Sequence, residues 1–498
     1  MVGLKNIPLN IVRGGGRTMN KNIYIFITIL FLIVNVGCSS AEKIETSNDE
    51  IEVDNNTFLE QGSDRTTKGN NVAEDELVSV EPEYVYVKIS AVGDVMVHSP
   101  QFRAQFNKTT NTYDFTNNFS FIKPHISSAD LALANLETTF AGMEKGFSGF
   151  PFFNTPDELA YALKYAGFDV ISTANNHIFD RGKEGILRTI QILEENNLEV
   201  IGTRRNEEDE SFIITEVNGI KIGITAYAAE TPRQGEVRAI NSIRMPKEVE
   251  AIIDTFGFEN LEEDLIKMKE RIQIMKQRGA EIIVFYMHWG NEYWRQACKY
   301  QVKIAQALTN YGADVILGSH PHVIQPIEFL YSQIDGSKTV VAYSMGNILS
   351  NQRYETLGNK YTEDGVIVNL TFKKNSATNK IILSKIGIVP TWVHRYVQEG
   401  QRAYEIIPVV DALPDGEKFN IYSKKTMLRI KKSLERTLEV IDIKDNKISL
   451  ETRKHNEPFA LEFIKESSSL DHGDKPRGIL KDDSLETLSG FAQVVIKH

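Results

Sequence analysis

Short, continuously apolar runs rich in Val and Ile recur along this chain, and they constrain its fold more than any other feature. Runs such as Glu281–Met287 and Thr339–Tyr343 lack the alternation of polar and apolar residues that a strand with one solvent-exposed face shows. Continuous runs are typical of strands that are covered on both faces. We therefore predict strands at Val85–Val92, Ala129–Ala134, Phe168–Thr173, Lys221–Ala226, Glu281–Met287, Ala313–Leu317 and Thr339–Tyr343.

Amphipathic segments lie between these runs and predict helices. The segment Asn260–Arg278 carries apolar residues at 4-3-4-3 spacing from Leu261 to Met275, which makes one apolar face. Asn260 suits the N-cap of this helix and Gly279 its C-terminal stop. Further helices are predicted at Asp157–Ala166 and Lys299–Tyr311.

Two turn dipeptides show that the sheets are not purely parallel. Asn218-Gly219 and Asp335-Gly336 each lie between two strand-like runs, where such pairs favour tight antiparallel hairpins. Hairpins mixed with strand–helix–strand units predict an α/β fold of layered mixed β-sheets flanked by helices.

The N-terminus resembles an export signal followed by a lipidation site. Lys21 precedes an apolar stretch from Ile23 to Val36, which is short for a membrane span and suits a signal peptide. Cys38 follows directly, and its position resembles the processing site of a bacterial lipoprotein. We expect residues 1–18 to be a non-native extension and residues 19–37 a signal peptide. The lipidated Cys38 would anchor the protein at the extracytoplasmic face of the bacterial cell membrane.

An acidic tether follows this signal. Between Ala41 and Glu83 there are 13 acidic and three basic residues, so the tether carries most of the net charge of −11. We predict that residues 38–83 are disordered, that residues 84–411 form the main domain, and that residues 412–498 form an accessory region. That region opens with a basic amphipathic helix at Lys424–Val440. The chain has no basic stripe, which argues against a nucleic-acid partner.

Polar side chains with ligand chemistry follow the predicted strands where each strand ends. The clusters are Gly93-Asp94, Asn135-Leu136-Glu137, Asn175-Asn176-His177 with Asp180 and Arg181, His288 with Glu292, His320-Pro321-His322, and Gly346-Asn347. Because α/β sheets place their sites at the carboxyl ends of strands, we expect one shared pocket. Besides Cys38 the chain has only Cys298, so His, Asp, Glu and Asn would hold any metal there.

The His-x-His pattern suggests more than one ion. In an extended backbone residues two apart point the same way, so His320 and His322 would face one cavity and contact two metals. Asp94 or Glu137 would bridge them as a carboxylate. Mixed oxygen and nitrogen ligands suit Mn²⁺, Zn²⁺ or Fe. Two such ions about 3.5–4 Å apart activate water and stabilise an in-line phosphoryl displacement.

These blocks, in this order, resemble the CapA family of capsule (poly-γ-glutamate) synthesis proteins, which is similar in fold to calcineurin-like metallophosphoesterases. The resemblance runs from about Val87 to His394. The matching blocks are Gly93-Asp94-Val95-Met96, Ala134-Asn135-Leu136-Glu137, Ala174-Asn175-Asn176-His177 with Asp180 and Gly182, His288-Trp289-Gly290, Gly318-Ser319-His320-Pro321-His322 and Tyr343-Ser344-Met345-Gly346-Asn347.

The resemblance implies roles for individual residues. The implied metal ligands are Asp94, Glu137 at the bridging position, Asn176, His288 and His320 on one ion, and His322 on the other. His177 matches the residue that protonates the leaving group, and we assign Asp180 and Arg181 to catalysis with it. We assign Asn347, Arg295 and Glu292 to substrate binding. The chain departs from the phosphoesterases at Met96, where they have His, and His98 is a candidate substitute.

The family resemblance implies a role in making, exporting or anchoring poly-γ-glutamate, with membrane-bound capsule synthesis proteins as partners. The implied activity is metal-dependent hydrolysis. A secreted metallophosphatase or phosphodiesterase and a non-catalytic, polymer-binding scaffold lipoprotein are alternatives. A third, a serine hydrolase, rests on Ala342-Tyr343-Ser344-Met345-Gly346, which imitates a nucleophile elbow. The chain has no G-x-x-x-x-G-K-[ST] loop for ATP, so it is not the ligase itself.

Overall fold

Two large β-sheets share one buried apolar core. The computed structural model describes residues 83–235, 237–443 and 447–452 and the backbone of two further strands, 461–465 and 492–496. The proposed lipidation site at Cys38, the signal peptide and almost all of the tether lie outside the described residues. Within those residues no helix combines the length and apolar character needed to cross a bilayer.

The strands and helices are numbered in chain order. The strands are β1 (Tyr84–Val95), β2 (Phe106–Asn107), β3 (Thr112–Tyr113), β4 (Leu131–Leu136), β5 (Val170–Ser172), β6 (Glu199–Ile201), β7 (Ile213–Val217), β8 (Ile220–Ala229), β9 (Thr231–Gln234), β10 (Val237–Ile240), β11 (Ile243–Arg244), β12 (Thr255–Phe256), β13 (Ile282–His288), β14 (Val315–Ser319), β15 (Ile327–Tyr331), β16 (Lys338–Ala342), β17 (Asn347–Leu349), β18 (Asp364–Asn375), β19 (Ile381–Gln398), β20 (Gln401–Pro408), β21 (Ile448–Leu450), β22 (Leu461–Lys465) and β23 (Ala492–Ile496). The helices are α1 (Ser99–Ala104), α2 (Thr116–Phe119), α3 (Lys123–Ile126), α4 (Glu158–Ala166), α5 (Gly182–Glu195), α6 (Lys247–Glu250), α7 (Leu261–Gln277), α8 (Lys299–Tyr311), α9 (Tyr354–Leu357), α10 (Val409–Ala412) and α11 (Lys424–Leu438).

Both large sheets mix parallel and antiparallel strands. The first runs in the order β20-β19-β18-β1-β4-β5-β6, with β17 beside β1 and β21 beside β19. The second runs β12-β8-β13-β14-β16-β15, with β7 beside β8. In the first sheet β1, β4, β5 and β6 are parallel, and in the second β8, β13, β14 and β16 are parallel. The predicted class of layered mixed sheets flanked by helices is confirmed.

Alternate residues of the central strands face different cores, because side chains alternate along a strand. In β13, Val284 and Tyr286 pack into the core shared by the two sheets, and Phe285 packs against α7 and α8. In β4, Leu133 faces the shared core and Ala134 the outer cluster that includes α4. Burial on both faces explains why these runs are continuously apolar in the sequence.

Two local expectations differ from the structure. The hairpin at Asn218-Gly219 forms as expected, since both residues have the positive φ that a tight turn requires. The predicted tight hairpin at Asp335-Gly336 does not form, because β15 ends at Tyr331 and leaves a longer loop before β16. Asp335 lies in that loop, where its carboxylate accepts hydrogen bonds from Ser337. Asn260 occupies the expected N-cap position of α7, but its side chain donates to Glu263 and accepts no capping hydrogen bond.

The C-terminal helix α11 is attached to the first sheet by a buried ion pair. The guanidinium of Arg436 donates from Nε to Oδ2 of Asp364 and from Nη2 to Oδ1, both at 2.6 Å, and Ser433 donates to the same carboxylate at 2.7 Å. Asp364 opens β18, and β21 beyond the helix pairs in parallel with β19. Helix α11 and strand β21, both beyond residue 411, therefore pack directly on the main sheet.

Removing the cation of this pair should destabilise the fold in a pH-dependent way. Burial raises the pKa of Asp364 to about 6 despite the hydrogen bonds from Arg436 and Ser433. The ordinary value is about 3.9, so stability falls as pH rises between these values and the buried carboxyl ionises. Arg436→Ala raises that pKa further. We expect it to cost about 3 kcal/mol at pH 8 and distinctly less at pH 5, measured by urea unfolding of the full chain.

Arg402→Ala is the matched control, because Arg402 is exposed and makes no ion pair with a described residue. It should change the free energy of unfolding by less than about 0.5 kcal/mol at either pH. Equal losses for Arg436→Ala at pH 5 and pH 8 would contradict the role given to the charge of Asp364.

Candidate metal centre

The carboxyl ends of strands from both sheets converge on one cluster of polar side chains. In the first sheet Asp94 of β1 lies in register with Asn135 of β4 and with Asn347 of β17. In the second sheet His288 of β13 lies in register with Ser319 of β14. Parallel neighbours bring their ends to the same edge, so each sheet presents its polar groups to the other there.

Asp94 is a fully buried carboxylate with donors on both oxygens. Asn135 donates to Oδ1 at 2.8 Å, and the Nδ1 atom of His322 lies 3.0 Å from Oδ2. The backbone N–H of His320 donates to Oδ2 at 3.2 Å. Burial by itself raises the pKa of Asp94, but these contacts outweigh burial and hold its pKa below the ordinary value. Asp94 is therefore an anion at the centre of the cluster.

His288 joins three of the clusters that the sequence shows. Its Nε2 atom lies 2.7 Å from Oδ1 of Asn176 and 3.1 Å from Nδ1 of His320, and its Nδ1 atom lies 2.9 Å from Oγ of Ser319. Burial lowers the pKa of His288 well below its ordinary value and that of His320 to about 4. Both rings are consequently neutral imidazoles, which is the form that ligates metals.

Glu137 is a carboxylate of the cluster whose two oxygens are both unsatisfied within the described residues. Its side chain is fully buried, and neither carboxylate oxygen has a hydrogen-bond partner among the described residues. The Nε2 atoms of His288 and His322 both lie 3.7 Å from Oε1, too far for a hydrogen bond. Burial and the nearby charge of Asp94 raise the pKa of Glu137 well above its ordinary value. A buried carboxylate in this state is costly unless a cation compensates it.

The donor set fits two divalent cations. Ligand atoms of Asp94, Glu137 and His288 lie within 4.8 Å of one another, and so do those of Glu137, His320 and His322. Glu137 belongs to both groups, which is the position of a bridging carboxylate. Buried carboxylate oxygens and imidazole nitrogens suit Mn²⁺, Zn²⁺ or Fe.

The two histidines after β14 reach this cavity by a different route from the one expected. The strand ends at Ser319, and His320 and His322 have φ values of +93° and +57°, in the left-handed region that non-glycine residues rarely adopt. The extended backbone predicted for His-x-His is therefore wrong. Contacts with the two sheets hold both rings over the site at a conformational cost typical of functional loops.

His177 forms a second functional unit beside the donor cluster. Its Nδ1 atom lies 2.8 Å from Oδ2 of Asp180, whose side chain is fully buried and also accepts from the backbone N–H of Phe153 at 2.7 Å. The ring of Phe153 packs edge-on against the imidazole with centroids 4.6 Å apart. Because a carboxylate accepts hydrogen bonds, Asp180 holds the proton of the neutral ring on Nδ1 and leaves Nε2 as the acceptor nitrogen.

The predicted arginines do not enter the donor cluster. Arg181 donates to Oγ of Ser148 and, at 3.1 Å, to the carbonyl of Phe152, so it braces the loop beside His177. Arg295 donates to the carbonyl of Arg436 at 2.6 Å and to Glu439 at 3.2 Å. Arg295 thus stabilises the negative end of the α11 dipole. Sequence alone could not show these partners, because they are far away in the chain.

The two other predicted substrate contacts lie in or beside the donor cluster. Asn347 is fully buried, and its amide donates to the carbonyls of Thr362 and His322 at 3.0 and 3.3 Å, so it braces the His-x-His loop. Its Oδ1 atom has no hydrogen-bond partner among the described residues, and its assignment to substrate stays a prediction. Glu292 is half-buried and close enough for its charge to contribute to the raised pKa of Glu137. Glu292 therefore stays a candidate contact at the edge of the site.

Met96 brings no oxygen or imidazole donor to the first metal position, and its buried thioether sulfur lies 4.0 Å from Oγ of Ser350. The candidate substitute, His98, stacks edge-on against Phe153, and its Nδ1 atom accepts the backbone N–H of Asn351 at 3.4 Å. His98 is not a member of either donor group. Burial lowers its pKa to about 4.

Two supporting residues received no role from the sequence. Asn135 donates to Asp94 and accepts from Asn175 at 3.2 Å, and Ser319 contacts His288. Both residues stand beside a predicted ligand at a strand end, and that position in the sequence is the feature from which their supporting role could have been predicted.

Ser344, the nucleophile of the serine-hydrolase alternative, does not face the site. It is fully buried and donates to the carbonyl of Val323 at 2.8 Å. It contacts no imidazole among the described residues, which removes that alternative.

Comparisons with known proteins find relatives over much of the chain. The chain is 26% identical over 392 residues to the PGA biosynthesis protein CapA of Bacillus subtilis, covering 76% of this chain and 84% of that protein. It is 25% identical to the capsule biosynthesis protein CapA of Bacillus anthracis, covering 68% and 73%. The calcineurin-like phosphoesterase YfkN from Bacillus subtilis matches with 14% identity and a TM-score of 0.36, covering 72% of this chain and 99% of that one.

The family described as "Bacterial capsule synthesis protein PGA_cap" matches residues 88–352, more than half of the chain. That range contains all six predicted metal ligands together with His177 and Asp180. The family resemblance inferred from the sequence blocks is thereby confirmed, and the chain belongs to the PGA_cap family of bacterial capsule synthesis proteins.

Proposed function

We propose that this protein is a metal-dependent hydrolase of capsule synthesis, anchored at the extracytoplasmic face of the membrane and acting on an anionic polymer, poly-γ-glutamate. The observation that carries the proposal is Glu137, a buried carboxylate with no hydrogen-bond partner in the described chain, 3.7 Å from imidazole nitrogens of His288 and His322. The names of the Bacillus relatives support the polymer as the substrate class.

Two groups of donors would supply the ligands. Asp94, Glu137 and His288 would hold one divalent ion, and Glu137, His320 and His322 a second, with Asn176 beside His288 as a further oxygen donor. When bound, such ions lower the pKa of water and stabilise negative charge on the oxygens of the group being hydrolysed. Asn135 and Ser319 orient Asp94 and His288, so the ligands are held before any ion arrives.

His177 supplies the proton that hydrolysis requires. Water adds to the scissile group and gives up a proton, the bond to the leaving group breaks, and the leaving atom takes up a proton. His177 in its doubly protonated form would deliver that proton from Nε2 while Asp180 accepts from Nδ1 at 2.8 Å, and the proton released by the water would restore the ring. Phe153 covers the imidazole and limits water around it.

Hydrolysis of phosphate diesters at the same centre is a second candidate activity. The histidine–carboxylate pair and the two donor groups suit phosphoester cleavage as well as amide cleavage. The two activities differ in their substrate and not in the arrangement of this centre.

Replacing the unsatisfied carboxylate should make the metal-free protein more stable and should weaken metal binding. Glu137→Gln should raise the melting temperature in the presence of chelator, because a neutral amide costs less to bury than an unpaired carboxylate. Added Mn²⁺ or Zn²⁺ should stabilise the wild type by about 2.7 kcal/mol at 100 times Kd and the variant far less. Calorimetry and elemental analysis measure both effects. Glu199→Gln, at an exposed position, should change neither. A wild type that binds no metal would refute the centre.

The hydrogen bond between His177 and Asp180 predicts a loss of turnover without a loss of metal. Asp180→Asn should lower kcat by about 10²-fold or more in Mn²⁺-dependent hydrolysis of bis(4-nitrophenyl) phosphate, because His177 loses its fixed tautomer. Metal content should stay at the wild-type level. Asp335→Asn, in the exposed loop after β15, is the control and should be silent. In cells His177→Ala should change polymer length or release, and an unaltered polymer would leave only the phosphodiesterase activity.

Membrane anchoring rests on one cysteine. Cys38→Ser should abolish incorporation of a fatty-acid label into the protein in bacterial cells, because the proposed acceptor thiol is lost. Cys298→Ser is the matched control, since Cys298 is the chain's other cysteine and is buried at the start of α8. Equal labelling of the Cys38→Ser variant and the wild type would contradict the anchor.

A further inference from the structure

A groove of about 1020 Å³ lies between helix α11 and the segment around α9, beside the metal centre. Six basic and two acidic side chains line it, together with three tyrosines and one asparagine amide. A binding site of this composition attracts anions. Nothing in the proposed chemistry accounts for the groove.

One face of α11 forms the basic wall. Lys425, Arg429, Lys432 and Arg436 follow one another at spacings of four, three and four residues, which places them on one side of a helix. The two lysines are seven residues apart, so they stand about 10 Å apart along the axis. The basic amphipathic pattern of this segment therefore reflects a wall that faces a cavity.

The arginines and lysines of this wall have different tasks. Arg429 contacts the carboxylate of Glu363 at 2.7 and 2.9 Å, and Arg436 is paired with Asp364, so both attach the helix to the fold. Lys425 and Lys432 are exposed and make no ion pair with any described residue. The anchored helix thus holds two ammonium groups, neither paired within the described chain, at a fixed spacing.

The lining residues that precede α11 in the chain suit amide and methylene groups. Tyr354 and Tyr361 line it, and their rings offer apolar faces with a hydroxyl at the edge. Arg295 packs over the ring of Tyr361 at 4.2 Å from the centroid. A polymer with amide links, short methylene spacers and regularly placed carboxylates would meet both tyrosine rings and ammonium groups in this groove.

Tyr293 connects the groove to the metal centre. It lines the groove, and its ring centroid lies 6.1 Å from that of His322. Its backbone N–H donates to the carbonyl of Pro321 at 2.7 Å, which holds the end of the groove against the loop that carries the metal-ligating histidines. Gln352 extends the same connection, since it donates to the hydroxyl of Tyr293 at 3.4 Å and accepts from Asn347 at 3.1 Å. A chain lying in the groove would therefore reach the donor cluster with one end.

We propose that this groove binds a stretch of the carboxylate-bearing polyamide and delivers it to the metal centre, with Lys425 and Lys432 contacting successive carboxylates. This inference rests on the proposed function, because it extends the substrate site of the same centre. The accessory region after residue 411 thereby becomes the part of the protein that selects the polymer.

Binding of poly-γ-glutamate to the full-length chain tests the proposal. The probe is biotinylated poly-γ-glutamate of defined length, bound to an interferometry sensor in buffer with chelator, so that turnover does not contribute. The double variant Lys425→Ala/Lys432→Ala should weaken binding by about tenfold or more and reduce its dependence on salt. Its melting temperature should equal that of the wild type, because neither lysine makes an ion pair with the described fold.

The matched control is Lys424→Ala/Lys431→Ala. Each of these lysines precedes a groove lysine by one position on the same helix, but neither lines the groove. Replacing them removes the same amount of positive charge. They should change Kd by less than twofold. Equal weakening by both double variants, or by neither, would overturn the proposal, and so would a wild type that does not bind the polymer. Polyphosphate that binds as tightly as poly-γ-glutamate would overturn the assignment to a carboxylate polyamide.

The two proposals fail in different measurements. The groove proposal alone fails if Lys425→Ala/Lys432→Ala binds the polymer as tightly as the wild type while metal content and hydrolysis persist. Loss of the proposed function appears as a protein without metal or turnover that still binds polymer through the two lysines. That second result would identify a polymer-binding scaffold.

Discussion

A carboxylate left unsatisfied by the described chain, held away from water between the ends of two sheets, is the constraint on which this structure depends. Glu137 lies among Asp94, His288 and His322, and neither imidazole is close enough to hydrogen-bond to it. Burying such a group costs stability that the large shared core must supply. The cost is reasonable for a protein that uses the carboxylate to hold cations, as the proposed function requires, and the neutral imidazole of His288 beside it suits the same task.

The backbone around the centre is built for close approach. A side chain at Gly93 would place its Cβ 1.9 Å from the carbonyl oxygen of Gly346, and one at Gly318 would meet that of Tyr343 at the same distance. These glycines let neighbouring segments pass next to the strand ends that carry Asp94 and His320. The positive φ values of His320 and His322 complete the arrangement, since the loop turns both rings towards the same cavity.

The C-terminal helix α11 lines the groove that lies beside this centre. Its arginines pair with acidic residues at the start of β18 and just before it, and Arg295 binds the carbonyl end of the helix. These contacts leave two lysines, unpaired within the described chain, on the face that lines the groove. The same segment therefore serves the fold through its paired charges and, in the proposed function, the substrate through its two lysines.

The amino-acid sequence by itself determined the layered sheets, the approximate bounds of their central strands and the identity of the polar residues at the strand ends. Those features depend on local periodicity and on the rule that strand ends carry sites. Only the tertiary structure decided the partners of Arg181 and Arg295, the bracing role of Asn347 and the turn of the His-x-His loop. Side-chain direction at a left-handed residue and the choice of a distant ion-pair partner depend on what the rest of the chain packs against them, and no spacing in the sequence records that.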